Sequence, residues 1–203
     1  MPMALRKTAS IKKRKQKYAY QMLVRLVDSE PVIWRQISVP GNMTLADLDR
    51  IIQAAMGWTN SHLHLFTIDG HVYGMPDDEW VDEMPNLPDD EFTLDEVLGT
   101  KVKTFFYEYD LGDGWQHQVS VQMVMIANED HNSWPMCLGG ANACPPEDVG
   151  GLGGYEEFLE AIRDPSHEEH DAMRRWCGGP FDPTGFDINS ANRDIRRWLI
   201  EDE

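Results

Sequence analysis

Cysteine is scarce in this sequence, which contains Cys137, Cys144 and Cys177 and no C-x-x-C pair. An odd number of cysteines without paired spacing argues against a disulfide framework and favours a reducing compartment. Long apolar runs are also missing, so no segment is long enough to cross a bilayer, and residues 1–17 lack the apolar stretch of a secretory signal. The sequence therefore predicts a cytoplasmic protein that does not use a membrane as a partner.

Basic residues are rare beyond the first 17 positions. Residues 1–17 hold seven Lys or Arg and no acid, whereas residues 18–203 hold 11 basic and 35 acidic side chains, a formal charge of −24. Nucleic-acid binding depends on neutralising phosphates with Lys and Arg, so this acidic body argues against extensive binding of that kind. We interpret residues 1–17 as a flexible basic leader, in which the stretch Lys12–Lys17 could contact an acidic partner.

Aromatic residues, in contrast, are plentiful, with seven Trp, seven Phe and six Tyr in 203 residues. Such a chain can bury a core, and its length allows residues 18–203 to form a single domain. Strand patterns and one helix come first along the chain, a hairpin follows, and helical patterns come last. This order favours the α+β class, with an antiparallel sheet packed against several helices and a helical C-terminal part.

Hydrophobic periodicity places the individual elements. Alternating patterns predict strands over residues 18–27, 32–39, 62–68, 71–73, 103–110 and 115–125. A helical period over 45–56 begins at a capping box of Thr44 and Asp47 and ends at Gly57. Three further helices are expected over 155–162, after a capping box at Ser166, and over 191–199, whereas residues 77–96 and 134–154 are interpreted mainly as loops.

Several common functional signatures are missing. The sequence has no P-loop, no dinucleotide-binding glycine pattern, no G-x-S-x-G motif and no EF-hand loop. The segment His167–His170 has the wrong spacing for an H-E-x-x-H zinc site and is interpreted as the start of a helix.

Histidines at alternate positions of a predicted strand form the first candidate site. His62 and His64 would point the same way, so their two imidazoles could hold a divalent metal or a phosphate. They could equally be hydrogen-bonded histidines at a sheet edge, because two ligands alone do not make a metal site.

The hairpin at residues 107–117 (YEYDLGDGWQH) forms the second candidate site. Turn chemistry accounts for Asp113 between two glycines, but not for Asp110 at a strand end or for His117 on an apolar face. A buried histidine favours a carboxylate or carbonyl partner, so we predict that His117 pairs with Asp110 or Asp113. Such a pair would be either structural or catalytic.

The glycine-rich and proline-containing stretch from Cys137 to Tyr155 forms the third candidate site. It includes Pro145, Pro146, Glu147 and Asp148, and irregular segments of this length are commonly functional or wrap a core. Cys144 is a further possible metal ligand, together with a histidine.

At these residues the chain resembles a known family. Residues 24–58, 62–74, 107–117 and 137–176 together are similar to the plasmid pRiA4b ORF-3-like family, also called the insertion-element passenger TnpR family, from about Tyr18 to about Asn192. The resemblance implies an α+β domain of unestablished activity with a link to plasmids, transposons and other mobile genetic elements. The matched positions are Trp34, Trp58, His62, His64, Tyr73, Asp110, Gly112, Asp113, Trp115, His117, Cys144, Pro145, Pro146, Glu147, Asp148, Gly150, Gly151 and Tyr155.

Two functions are compatible with the sequence. The first is a binding or interaction module, with Trp58, Tyr73, Trp115 and Tyr155 as binding residues. The second is a metal-dependent, hydrolase-like enzyme acting on a phosphate-containing substrate, in which His62, His64 and Cys144 are metal ligands. The catalytic candidates are Asp110, Asp113, His117, Glu147 and Asp148. Both functions require that the 110–117 hairpin, the His62–His64 strand and the 144–148 loop converge in space.

Overall fold

The computed structural model describes residues 17–75, 86–127 and 134–201, which form eight strands and five helices. Most of the predicted basic leader and half of the acidic 77–96 segment lie outside these residues. The elements are β1 (Tyr18–Leu26), β2 (Trp34–Pro40), α1 (Leu45–Met56), β3 (His64–Ile68), β4 (His71–Gly74), β5 (Leu87–Pro88), α2 (Leu94–Val97), β6 (Thr104–Tyr109), β7 (Trp115–Ile126), β8 (Met136–Ala141), α3 (Gly151–Arg163), α4 (His170–Trp176) and α5 (Ile188–Glu201).

All eight strands form one sheet in the order β5-β4-β3-β6-β7-β1-β2-β8. Every neighbouring pair is antiparallel except β4 and β5, which run parallel. The α+β class is therefore confirmed, but the sheet is mixed rather than wholly antiparallel. The C-terminal part holds the helices α3, α4 and α5, whereas the predicted helix α1 and the short α2 lie between strands. In the part of the chain that the structure describes, no helix is long and apolar enough to span a membrane.

One face of the sheet carries the hydrophobic core. Alternate strand residues, such as Met22, Ile37, Phe105 and Val119, are buried there together with the apolar side of α1. The opposite face carries polar residues such as Gln36, whose side-chain amide donates to Gln122 at 2.8 Å. This distribution gives two layers, with the core between the sheet and α1.

The capping box predicted for α1 is confirmed. The Thr44 hydroxyl accepts from the backbone N–H of Asp47 at 3.1 Å, and the Asp47 carboxylate accepts from the backbone N–H of Thr44 at 2.8 Å. Gly57 ends the helix with a φ of 101°, a left-handed conformation that glycine adopts without a Cβ clash. The conformation of Gly57 therefore sets the direction in which the chain leaves α1 toward Trp58 and His62.

Strand β7 departs from the predicted alternation beyond Val121. Met22 pairs with Val121 but Gln21 pairs with Met123, so one extra residue forms a bulge in β7. The bulge reverses the two faces of the strand. Met123 is consequently half exposed, and Val124, rather than Met123 or Met125, packs against the core.

Strand β8 lies inside a stretch that we expected to be irregular. Its glycines permit a close approach, because a Cβ at Gly140 would lie 2.8 Å from the Arg35 side chain and 2.8 Å from the Phe186 ring. At the outer edge of β8, the Asn192 side chain accepts from the backbone N–H of Cys137 and donates to the Cys137 carbonyl, both at 2.9 Å. A side chain of α5 thus takes the place of a further strand.

The capping box predicted at Ser166 is wrong. The Ser166 hydroxyl and backbone N–H instead donate to the Asp164 side chain, at 2.7 and 2.8 Å. Helix α4 begins at His170, whose ring Nδ1 lies 2.9 Å from the Ala161 carbonyl oxygen of α3. A turn between Asp164 and Ser166 has therefore replaced the cap.

The side chain of Arg35 is buried and binds four main-chain carbonyls in three segments. Its guanidinium donates to the carbonyls of Ala55, Trp34, Ala141 and Asn142 at 2.8 to 3.0 Å. It also lies 4.3 Å from the centre of the Phe186 ring. Arg35 therefore ties the C-terminal end of α1 to the end of β8.

Replacing Arg35 with Met is expected to lower the free energy of unfolding by about 3 kcal/mol, because buried carbonyls would lose a charged donor. Urea unfolding followed by circular dichroism measures the change. The matched control is Arg25→Met, since Arg25 is exposed on β1. Its expected effect is within about 0.5 kcal/mol, and an equal loss in both variants would contradict this role for Arg35.

Candidate functional site

The loop between β8 and α3 is held in place by other elements. Arg35 binds its first carbonyl at Asn142, and the Trp58 indole N–H donates to the Pro145 carbonyl at 3.0 Å. The Glu147 side chain then accepts from the backbone N–H and the hydroxyl of Thr59, at 2.8 and 3.1 Å. The loop is thereby anchored on both sides of Pro146.

The β6–β7 turn fixes the far end of the same loop. Asp113 accepts from the backbone N–H of Gly150 at 3.1 Å, and a Cβ at Gly151 would lie 2.6 Å from the Asp113 carbonyl oxygen. Within the turn, Oδ1 of Asp110 accepts from the backbone N–H groups of Gly112 and Asp113, at 3.0 and 3.3 Å. Oδ2 of Asp110 therefore points away from the turn, toward His62.

His62, Asp110 and Asp148 come together at this point. His62 Nε2 lies 3.0 Å from Asp148 Oδ1 and 3.6 Å from Asp110 Oδ2. All three ligand-type atoms lie within 4.8 Å of one another. The start of β3 and the end of β6 meet because these strands are antiparallel neighbours, and Asp110 N–H donates to the Leu63 carbonyl at 2.9 Å. One residue from each of the three segments expected to converge thus contributes to this cluster.

The Nε2 atom of His62 is buried but makes no hydrogen bond to any described residue. The two carboxylates lie 3.0 and 3.6 Å from this nitrogen without forming a hydrogen bond with it. A buried polar atom of this kind calls for an explanation, and an ion is one of the accepted ones.

Two of the three ligand separations match the spacing expected around one transition-metal ion. Zinc binds imidazole nitrogen and carboxylate oxygen at about 2.0 to 2.2 Å, so two ligands lie about 3.0 Å apart at 90° and about 3.6 Å apart at 120°. The two separations from His62 Nε2 are 3.0 and 3.6 Å. An imidazole with two carboxylates also suits divalent zinc or manganese by ligand type.

His64 does not share this cluster, which corrects the expectation that His62 and His64 bind one metal. Its Nε2 lies 2.7 Å from Asp89 Oδ2 and its Nδ1 lies 3.2 Å from Asp49 Oδ1, so both ring nitrogens face carboxylates. Burial lowers the pKa of His64, but the hydrogen bond to Asp89 and the charges of Asp49 and Asp89 outweigh it and raise the pKa overall. For Asp49, burial is the largest influence and raises the pKa to about 6.

Tyr107 belongs to the same separate network. Its hydroxyl donates to Asp49 at 2.6 Å and accepts from the Gln53 side chain at 2.8 Å. A cavity of about 670 Å³ adjoins the network, and His62, His64, Asp49 and Asp89 are among its lining residues. His62 is therefore the residue that connects the three-residue cluster to the cavity.

His117 pairs with neither Asp110 nor Asp113, so the predicted histidine–aspartate pair is wrong. The ring is fully buried between Trp58 and Tyr107, with ring centroids 5.4 and 5.3 Å away, and neither nitrogen hydrogen-bonds a side chain described here. Burial lowers the pKa of His117 to about 4, and nearby backbone groups of Tyr107 and Trp115 only partly offset it. His117 is a neutral core residue.

The four aromatic residues proposed as binding residues also lie in the core. Trp58, Tyr73, Trp115 and Tyr155 are between 0 and 7 % exposed. Trp58 packs against Tyr109 and Trp115, with ring centroids 4.9 and 6.1 Å away. Buried in this way, the four side chains do not present a surface to a ligand.

Cys144 is not a member of the three-residue cluster. Its thiol lies near Arg35, and burial raises its pKa above the ordinary value. A thiol held in its neutral form is a poor metal ligand, since the thiolate is the form that binds. All three cysteines are free, in agreement with the absence of a disulfide framework.

Sequence reasoning missed Asp49, Asp89 and Tyr109. Asp49 carried a usable signal, because it follows Leu45 and Leu48 on the apolar side of α1, where a charged residue needs a buried partner. Asp89 lies in the acidic segment and is one of many acids there. Tyr109 is part of an ordinary strand pattern, so only its contacts reveal what it holds.

The fold and the cluster together define an α+β domain in which ligand-type side chains meet where β3, β6 and the β8–α3 loop come together. The model of the plasmid pRiA4b ORF-3-like family matches residues 18–190. The uncharacterized protein y4hQ of Sinorhizobium fredii is 39% identical over 176 residues, which cover 86% of this chain and 89% of that protein.

The crystal structure of MM3350 from Methanosarcina mazei Go1, a protein of unknown function, matches with a TM-score of 0.76 and 34% identity. The match covers 88% of this chain and 98% of that chain. The chain therefore belongs to the plasmid pRiA4b ORF-3-like family.

The buried, neutral His117 predicts acid sensitivity. Its folded-state pKa of about 4 lies below the ordinary 6.5, so its contribution to stability is present above about pH 6.5 and is lost as the pH falls toward 4. The loss amounts to about 3 kcal/mol. In urea unfolding at several pH values, His117→Leu should remove this part of the pH slope. His71→Leu, at an exposed histidine of β4, should retain the slope, and a slope unchanged in His117→Leu would contradict the prediction.

Proposed function

We propose that the protein is a divalent-metal-binding module in which His62, Asp110 and Asp148 hold one zinc or manganese ion. The observation that supports this most directly is the convergence of one imidazole nitrogen and two carboxylate oxygens within 4.8 Å. His62 Nε2, a buried nitrogen close to both carboxylates but without a hydrogen bond in the described structure, supports the same proposal.

The burial of the three side chains favours an open coordination sphere. Asp110 is 10% exposed and His62 30%, whereas Asp148 is 71% exposed, so an ion at this position would face solvent on the side of Asp148. Sites with three protein ligands leave a coordination position for water or for a second molecule, unlike closed structural sites. The proposed module would therefore bind a partner or a small ligand through the ion.

The charge of the protein is consistent with this arrangement. Two carboxylates beside one imidazole would repel each other without a cation, and the chain carries a net charge of −17. A divalent ion offsets the local charge and would allow an anionic ligand to approach an otherwise acidic surface. Hydrolysis of a phosphate-containing substrate and a role in mobile genetic elements both stay predictions.

The substitution Asp148→Asn tests the proposal. Untagged protein stripped of metal and titrated calorimetrically with zinc or manganese is expected to bind about one equivalent. Asp148→Asn should weaken binding at least about tenfold, because an amide oxygen replaces a charged ligand. Asn can keep the left-handed backbone of Asp148, whose φ is 57°, so the loop should stay folded.

The matched control is Asp28→Asn. Asp28 is exposed and has nearly the same backbone conformation, with a φ of 56°, but it lies on the β1–β2 turn. Its metal affinity should equal that of the wild type. Wild-type protein that binds neither metal, or equal affinity in both variants, would rule the proposed site out.

A further inference from the structure

The hydroxyl group of Tyr109 lies at the centre of the contacts that place the three proposed ligands. It accepts from the backbone N–H of Ser61 at 3.0 Å and donates to Glu147, whose two carboxylate oxygens lie 3.1 and 3.2 Å away. The phenol therefore joins the chain between α1 and β3 to the β8–α3 loop.

Each of these three residues directly precedes a proposed ligand. Ser61 precedes His62, Glu147 precedes Asp148, and Tyr109 itself precedes Asp110. The residue before each ligand therefore either contacts the Tyr109 hydroxyl, as Ser61 and Glu147 do, or is Tyr109 itself. The phenol thus contacts the Ser61 main chain in one segment and the Glu147 side chain in a second, and the third segment is its own strand, β6.

The ring of Tyr109 is fixed as well as its hydroxyl. The side chain is fully buried and packs against Trp58 with ring centroids 4.9 Å apart. It also makes an edge contact with the His62 ring, with centroids 5.9 Å apart and planes at 66°. Burial, together with the charge of Glu147, raises the pKa of Tyr109 above its ordinary value, so the phenol stays protonated and donates to that carboxylate.

We propose that Tyr109 is the positioning residue of this site and that its hydroxyl sets the separation of His62, Asp110 and Asp148. This inference rests on the proposed metal-binding function. Residues behind the ligands orient them, and their loss commonly reduces metal affinity by about 10- to 100-fold. Tyr109 would act in this way on the main chain of all three ligands at once.

Tyr109→Phe is the test, because it keeps the ring packing and removes only the hydroxyl. Zinc affinity measured by competition with a chelating dye should fall by about 10- to 100-fold relative to wild type. The absorption spectrum of the Co²⁺-loaded variant should also change, since the ligands would no longer be held at one fixed spacing. Loss of folding alone would not alter the spectrum of the protein that remains folded.

Tyr107→Phe is the matched control. Tyr107 lies two residues earlier on the same strand, is equally buried, and its hydroxyl likewise accepts one N–H, from Gln53, and donates to one carboxylate, Asp49. Its removal should cost a similar free energy of unfolding in urea but leave zinc affinity and the Co²⁺ spectrum unchanged. An equal loss of affinity in both variants would show a general effect of buried hydroxyls and would overturn the proposal.

Glu147→Gln provides a second and independent variant. If Tyr109 acts through Glu147, the two single variants should lose affinity to a similar degree and the double variant should lose little more than either. Full additivity would overturn this route. Wild-type protein that binds no metal refutes the proposed function itself, whereas wild-type-like affinity in Tyr109→Phe refutes only the positioning role.

Discussion

Burial of the Arg35 guanidinium among four main-chain carbonyls is the contact on which the geometry of the site depends. Ala55 lies near the end of α1, and Ala141 and Asn142 lie where β8 gives way to an irregular loop. The chain after α1 carries His62, and the loop carries Asp148. Irregular backbone has no ladder to satisfy its polar groups, so side chains must do so. Arg35, Trp58 and Asp113 perform that task in succession along the loop, and the loop's own Glu147 accepts from the backbone N–H of Thr59.

Much of the fold could be predicted because it follows local rules. The β1–β2 pair, the capped helix α1 and the β6–β7 hairpin follow from periodicity and turn residues alone. Strand β8 could not be predicted in this way, since Gly139 and Gly140 weaken the strand pattern and the close approach of Arg35 and Phe186 to Gly140 is visible only in the fold. The two-residue strand β5 was missed because its pairing with β4 is not encoded locally.

The candidate site was only partly predictable, for a related reason. The meeting of His62, Asp110 and Asp148 could be anticipated from ligand-type residues on three segments. The partners of each histidine could not be predicted, because His64 pairs with Asp89 and Asp49 from distant parts of the chain. His117 shows the opposite failure: an apolar stripe that contains a histidine suggested a carboxylate partner, but packing between Trp58 and Tyr107 left the ring neutral.

The side chain of Asn192 closes an edge that would otherwise invite association. A primary amide presents one acceptor and one donor in the same plane as a peptide group, and Asn192 offers both to Cys137. A strand from another molecule would have to displace this amide before it could pair with β8 at Cys137. The helix that carries Asn192 therefore serves as a guard against edge-to-edge polymerisation, a hazard of every open sheet.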